Sequence, residues 1–180
     1  VMQRLSVIAT SSFRVSSILK GMHTKVLDTR KTTPGMRELE KYAVALGGCI
    51  NHRMGLWDMI MIKDNHIDYA GGIKQAVEAA KSYLKQNNKN LKIEVEVRNM
   101  EELKQAIDAN INRVMLDNFS PDNLRKAVEF IAGRVETEAS GGINENNLLE
   151  YADSGVDYIS MGSLTHQIKS LDLSLKAINF

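Results

Sequence analysis

The chain has 180 residues, of which 43% are hydrophobic and 25% are charged, and its formal net charge is +1. These values are typical of a soluble globular chain with one substantial core, and the near-neutral charge argues against general binding of nucleic acid or membrane surfaces. No apolar run is long enough to cross a bilayer, and the N-terminus lacks the pattern of a signal peptide, so we expect a cytoplasmic protein. The chain starts without an initiator methionine inside a predicted helix, so we expect it to be part of a longer protein.

Apolar periodicity predicts strands that alternate with helices along the whole chain, after one amphipathic helix at the N-terminus. Six strands in this alternation require parallel pairing and right-handed crossovers. We predict strands at 25–29, 59–63, 92–97, 113–117, 135–139 and 156–161, and helices at 3–20, 35–46, 71–86, 100–109, 121–131, 145–153 and after Ser163.

The polar faces of these strands distinguish between the two α/β architectures, an open doubly wound sheet and a barrel. In the third strand, Ile93, Val95 and Val97 share one face, while Glu94 and Glu96 share the other. An open sheet covered by helices on both sides favours two apolar faces. One polar face per strand instead favours a barrel whose mouth binds a ligand. A complete barrel usually needs about 250 residues and eight strands, so the sequence predicts an open or incomplete parallel TIM-like α/β barrel.

Cationic residues follow three of the predicted elements. Arg30 and Lys31 end the first strand, His52 and Arg53 follow the second helix, and Lys63 ends the second strand. Solvated surface charge would explain any one of them. Their repeated position near strand ends, where α/β sheets bind ligands, favours a small ligand with several negative charges.

Carboxylates end the next two strands. Glu96 and Asp117 would face the same opening as Lys63, and such a group can hold a divalent cation, stabilise a positive transition state or exchange protons. The alternative is a structural network of ion pairs inside the barrel. Glu94 and Glu138 lie deeper on their strands, and we expect them to belong to that network.

Two glycine turns follow the last two strands. The first contains Ser140, Gly141 and Gly142. The second, within SMGSLTHQ, contains Ser160, Gly162, Ser163 and His166. Backbone amides in such turns can approach a phosphate closely, and barrels often bind phosphate with this pair of late loops. Either turn alone is more often only a connection, and His166 could cap or pack against the last helix.

Taken together, these segments resemble the quinolinate phosphoribosyltransferase family. The resemblance is carried in chain order by QRLSVIAT, LDTRKTTPG, NHRMGLWDMIMIKDNHI, EVEVRN, LDNFSP, EASGGIN and GVDYISMGSLTH. It implies transfer of phosphoribosyl from 5-phosphoribosyl 1-diphosphate to quinolinate with decarboxylation, which yields nicotinate mononucleotide, CO2 and diphosphate in NAD biosynthesis. It also implies a Mg2+ cofactor, a homodimer or higher homo-oligomer, and an N-terminal domain that residues 1–180 lack.

The resemblance also assigns residue roles. Carboxylates of quinolinate would be bound by Arg30, Lys31, His52 and Arg53. Lys63 would contact quinolinate or the phosphoribosyl donor, and Glu96 and Asp117 would hold the ribose and Mg2+, which makes these three the expected catalytic residues. The 5-phosphate would be bound by Ser140, Gly141, Gly142, Met161, Gly162, Ser163 and His166.

Two other functions stay open from the sequence. One is a related enzyme that acts on another pyridine carboxylate. The other is a catalytically inactive subunit that binds phosphate or supports assembly and keeps only the fold.

Overall fold

The structure is a computed structural model that describes residues 1–178. Strands and helices alternate as the sequence predicts, and each strand follows a helix. The six strands are β1 (Lys25–Leu27), β2 (Ile60–Ile62), β3 (Ile93–Val97), β4 (Arg113–Asp117), β5 (Glu136–Ser140) and β6 (Tyr158–Ser160). The helices are α1 (Met2–Ile18), α2 (Arg37–Leu46), α3 (Asp64–Ala70), α4 (Ile73–Gln86), α5 (Met100–Asp108), α6 (Pro121–Ile131), α7 (Leu148–Ala152) and α8 (Ser163–His166).

All strand pairs are parallel, and the sheet has the order β1-β6-β5-β4-β3-β2. The first and second strands are therefore the two edges of the sheet. Only an isolated parallel bridge between Leu27 and Ile50 joins β1 to the segment that precedes β2. This arrangement confirms the prediction of an open parallel α/β barrel.

The two faces of the strands are chemically different, as the alternation in the sequence predicts. Val95 and Leu116 are fully buried on the outer face and belong to one core with Leu103 of α5 and Leu124 of α6. The inner face carries the acidic and sulfur-containing side chains. Because successive side chains point to opposite faces, one strand can support both the core and the site.

Most predicted bounds differ from the structure by one to three residues. The differences that matter for the site concern three helices. An additional helix, α3, begins directly after Lys63, whose backbone N–H donates to His66 Nδ1 (3.0 Å). Helix α2 begins at Arg37, later than predicted, so Pro34 lies outside its first turn. Gly35 lies between Pro34 and Arg37, and its φ of +74° interrupts the helical backbone there. The last helix, α8, has only four residues.

Within the described residues, no helix is both long enough and apolar enough to traverse a bilayer.

Candidate active site

The carboxyl ends of the strands surround a cavity of about 400 Å³. Parallel pairing places these ends on one side of the sheet, so side chains that are far apart in sequence meet there. The lining residues are Thr29, Arg30, Lys31, His52, Arg53, Met61, Lys63, Glu96, Met115, Asp117, Glu138, Ser140 and Ser160.

All of the expected cationic and carboxylate residues line this cavity, together with Ser140. The other residues expected to bind phosphate lie in the two glycine turns beyond the lining: Gly141, Gly142, Met161, Gly162, Ser163 and His166. The sequence interpretation did not single out Thr29. Its position beside Arg30, at the end of β1, was the only available signal.

Arg30 and Arg53 form the cationic side of the cavity. Burial lowers the pKa of Arg53, and the nearby charge of Arg30 lowers it further. Arg53 donates from Nη1 to the Met59 carbonyl (3.2 Å). Arg30 Nε is buried and has no hydrogen-bond partner among residues 1–178. Two neighbouring guanidinium groups with unused donor capacity are suited to bind an anion.

Lys63, Glu96 and Asp117 form the opposite side. Lys63 Nζ contacts Glu96 Oε2, and the two side chains are 44% and 15% exposed. Asp117 lies one strand further along and accepts from Asn118 Nδ2 at its Oδ2 (2.7 Å). Among residues 1–178, the other oxygen of each carboxylate has no side-chain hydrogen bond, so a ligand or a hard cation can reach both groups.

A buried cluster lies below this pair. His52 Nε2 is 3.2 Å from Glu94 Oε2 and 3.2 Å from Glu138 Oε2, and Arg113 Nη1 lies 3.3 Å from the same oxygen of Glu138. Both glutamate side chains are fully buried. The structure thus places Glu94 and Glu138 in an internal ion-pair network, as predicted.

The ionisation of each group in this cluster depends on the charge of its neighbours. Burial and the neighbouring Glu138 carboxylate raise the pKa of Glu94 to about 7. Burial also acts to raise the pKa of Glu138, but hydrogen bonding and charge from His52, with the charge of Arg113, lower it. Two adjacent carboxylates avoid full ionisation together, so Glu94 is the one that takes a proton first as the pH falls, while Glu138 keeps its negative charge.

The two ring nitrogens of His52 differ, because Nε2 is close to two carboxylates but makes no well-formed hydrogen bond among residues 1–178. Nδ1 accepts from the backbone N–H of Arg53 (2.7 Å), while Nε2 faces the two carboxylates. Burial acts to lower the pKa of His52, but the close approach and charge of the Glu138 and Glu94 carboxylates raise it to about 9. Protonation would place a second hydrogen in the contact between Nδ1 and the Arg53 amide, so the ring takes the charged form only by giving up that hydrogen bond. His52 is therefore part of the cavity floor, and its expected contact with quinolinate stays a prediction.

The oxygen and nitrogen atoms of His52, Glu94 and Glu138 are close enough together to suggest a metal site. The tautomer argues against one. Because Nδ1 accepts a hydrogen bond, Nε2 carries a hydrogen in the neutral ring, and it also does so in the imidazolium. Nε2 consequently has no lone pair for a metal, and Glu96 with Asp117 remains the better set of oxygen ligands.

The two glycine turns lie on neighbouring strands, because β5 pairs with β6. Gly141 has a φ of +102°, and a Cβ atom there would lie 2.2 Å from Asn118 Oδ1. A Cβ atom at Gly162 would lie 2.8 Å from the His166 ring. Gly141 therefore requires glycine, because its backbone is left-handed and passes close to Asn118. Gly162 has a φ of −64°, so a side chain there would only have to displace the His166 ring.

Comparison with known proteins agrees with this geometry. The family model described as "Quinolinate phosphoribosyl transferase, C-terminal domain" matches residues 8–176. The chain belongs to this family. A family member from Arabidopsis thaliana, the chloroplastic carboxylating nicotinate-nucleotide pyrophosphorylase, is 45% identical over 97% of this chain and 54% of its own length. The probable carboxylating nicotinate-nucleotide pyrophosphorylase of Bacillus subtilis is 47% identical over 97% of this chain and 60% of its own length.

Solved structures support the same placement in the quinolinate phosphoribosyltransferase family. The nicotinate-nucleotide pyrophosphorylase from Francisella tularensis has a TM-score of 0.91 and 48% identity, and the match covers 96% of this chain and 60% of that chain. NadC from Streptococcus pyogenes has a TM-score of 0.90 and 42% identity, and the match covers 97% of this chain and 60% of that chain. The present chain therefore spans a little over half the length of these relatives.

Proposed function

We propose that this chain carries the active site of a quinolinate phosphoribosyltransferase. The enzyme would join quinolinate to the phosphoribosyl group of 5-phosphoribosyl 1-diphosphate and release CO2 and diphosphate. The observation that supports this proposal is the division of one cavity into a basic side, with Arg30 and Arg53, and an acidic side, with Glu96 and Asp117. A pyridine dicarboxylate and a sugar cation are a pair of ligands that needs both sides.

The basic side would bind quinolinate. Arg30, Lys31 and Arg53 offer charged donors to the two adjacent carboxylates, and a guanidinium can bind a carboxylate through two parallel hydrogen bonds. Neutralising these carboxylates allows a polyanion to approach a second polyanion. The pyridine nitrogen would then be directed toward the anomeric carbon, and a fixed orientation of this kind lowers the barrier substantially.

The acidic side would stabilise the ribose as diphosphate leaves. Positive charge develops at the anomeric carbon, and Glu96 and Asp117 present negative charge toward it. Lys63 can exchange its contact with Glu96 for a contact with a substrate anion, because this ion pair is partly exposed. After the nitrogen–carbon bond forms, the neighbouring carboxylate leaves as CO2, and the electron pair left on the ring takes a proton.

The remaining ligands follow from the same division. Glu96 and Asp117 would hold Mg2+, which when bound would offset negative charge on the diphosphate. The 5-phosphate would bind at the glycine turns of Ser140–Gly142 and Gly162–His166, whose backbones permit close approach.

A cytoplasmic homodimer is part of the proposal, and sedimentation analysis of the full-length protein would test the oligomeric state.

The decisive experiment follows both products. Quinolinate labelled in its 2-carboxylate is incubated with 5-phosphoribosyl 1-diphosphate, Mg2+ and the full-length protein, and labelled CO2 and diphosphate are measured together. Lys63→Met should lower turnover by about two orders of magnitude or more, because the charged group acts in the transition state. Lys74→Met is the control, since Lys74 lies 78% exposed on α4.

Equal release of CO2 and diphosphate by the unmodified protein would support the reaction. Absence of both products from a folded protein would contradict it. Turnover of Lys63→Met equal to that of the unmodified protein would remove Lys63 from the catalytic residues.

A further inference from the structure

Two loops carry the cations of the site, and only one isolated parallel bridge, between Leu27 and Ile50, joins the segments that lead into them. The β1 loop comprises residues 28–36 and contains Arg30, and the second loop comprises residues 51–59 and contains Arg53. Their strands, β1 and β2, are opposite edges of the sheet. This bridge fixes where the two loops begin, so the distance between the two guanidinium groups depends on contacts further along each loop.

Helix α2 supplies a buried ion pair between these loops. Lys41 is fully buried, and its Nζ contacts Asp28 Oδ1 in the β1 loop and donates to the His52 carbonyl in the second loop (3.0 Å). Asp28 Oδ1 also accepts from the backbone N–H of His52 (2.8 Å). One ammonium group and one carboxylate thus bind both loops at once.

Two further side chains reinforce the same connection. In the amide orientation that satisfies its neighbours, Asn51 donates to Asp28 Oδ2 (2.7 Å) and to the Lys41 carbonyl (2.9 Å). One helical turn before Lys41, Arg37 donates to the Arg30 carbonyl (3.3 Å) in the β1 loop and to the Met54 carbonyl (3.3 Å) in the second loop. Arg37 also donates to Thr32 Oγ1 (3.1 Å).

This connection acts against a repulsion. Arg30 and Arg53 are close enough that the charge of Arg30 lowers the pKa of Arg53. Without a bound anion, two like charges favour a wider separation of their loops. A buried ion pair is in general a poor source of stability, because both charges lose their hydration. The positions of Lys41 and Asp28 are better explained by the geometry that they impose.

We propose that Arg37 and Lys41 are positioning residues that hold Arg30 and Arg53 at the separation required by two adjacent carboxylates. The inference rests on the proposed function, since that function supplies the dicarboxylate ligand. It adds a determinant of specificity, because a ligand with one carboxylate needs only one of the two guanidinium groups. The site is thereby preorganised for a dianion before the ligand arrives.

The test compares two ligands in the full-length protein. Dissociation constants for pyridine-2,3-dicarboxylate and pyridine-3-carboxylate are measured by calorimetry. Arg37→Gln should raise the dissociation constant of the dicarboxylate by roughly tenfold to a hundredfold, because displacement of one loop disrupts a two-point contact. The dissociation constant of the monocarboxylate should rise by less than about threefold. Arg37→Lys should give an intermediate value for the dicarboxylate. Lys126→Gln, on the exposed face of α6, is the control.

Lys41→Gln is the stronger change, but loss of its buried charge could unfold the protein. Arg37→Gln keeps the buried ion pair and is only half-buried, so it carries the test if Lys41→Gln is insoluble. Thermal unfolding midpoints are measured for every variant. A lower midpoint with an unchanged ratio of the two dissociation constants would show a purely structural role and overturn the inference.

The proposed reaction and the positioning role fail in different ways. If the unmodified protein turns over and Arg37→Gln binds the dicarboxylate as tightly as the unmodified protein does, only the positioning role is overturned. Selective loss of dicarboxylate affinity in Arg37→Gln, with no turnover by the unmodified protein, supports the positioning role and overturns the reaction. Failure of the unmodified protein to bind the dicarboxylate overturns both.

Discussion

Strand β3 carries two glutamates on the same face, and their surroundings differ. Glu96 lies at the mouth of the cavity, where it contacts a partly exposed Lys63. Glu94 is two residues deeper, fully buried, and faces His52 and Glu138. A distance of about 7 Å along a strand therefore separates a carboxylate that can exchange partners with a ligand from one that is enclosed by the protein.

The polar face of one strand can thus bind a ligand at the mouth of the cavity and stabilise the fold below it. Solvent at the mouth weakens the Lys63–Glu96 attraction, so a charged substrate can replace either partner at little cost. Below the mouth, the groups neutralise one another, and removal of one leaves an unpaired charge in a medium that solvates it poorly. Changes at the mouth should affect catalysis, and changes below it should affect stability.

The largest effect is expected below the mouth. Glu138→Gln removes the charge that balances His52 and Arg113, and we expect a loss of about 3–5 kcal/mol in the free energy of unfolding. Denaturant titration followed by circular dichroism measures this loss. Glu136→Gln is a matched control on the same strand, because Glu136 also pairs with Arg113 but is 33% exposed. A loss for Glu138→Gln no greater than that for Glu136→Gln would contradict the division between the two regions.

At the mouth, Glu96→Gln should lower kcat by a factor of about 10²–10³, because it removes negative charge that faces the anomeric carbon. The free energy of unfolding should change by less than about 1 kcal/mol, since the ion pair with Lys63 is partly exposed. Steady-state kinetics and denaturant titration of one preparation give both numbers. A changed quinolinate affinity with unchanged kcat would assign Glu96 to binding alone.

The smallest expected effect is a pH dependence of stability. The folded-state pKa of His52 is about 9, above its ordinary value of 6.5. A raised pKa stabilises the folded protein fully below pH 6.5, and this contribution is lost as the pH rises toward 9. We expect a loss on the order of 2 kcal/mol across this interval, measured as the difference between the unmodified protein and His52→Gln. Parallel stability curves for the two proteins from pH 6.5 to 9 would show that the ring stays neutral.

Much of the fold was predictable because it depends on local patterns. The alternation of apolar and polar residues identified every strand, and helix α6 has the predicted bounds of 121–131. Its signals are local, with Ser120 accepting from Asn123 N–H and Pro121 in the first turn. Helix α3 was missed because its seven residues directly follow a strand and lack a long apolar period. Its start depends on the hydrogen bond from the Lys63 N–H to His66 Nδ1, which no apolar period indicates.

The residue order alone determined that the strands are parallel, that one of their faces is polar, and that basic and acidic groups lie at their carboxyl ends. These properties follow from the period of two in a strand and from the direction of the crossovers, which neighbouring residues encode. Tertiary structure decided which of these charges are solvated. Lys41 is an ordinary helix lysine in the sequence and a fully buried one in the fold. Burial and pairing depend on residues brought together from distant parts of the chain. Position along β3 was enough to separate Glu94 from Glu96, but no local pattern could reveal the partners of Lys41.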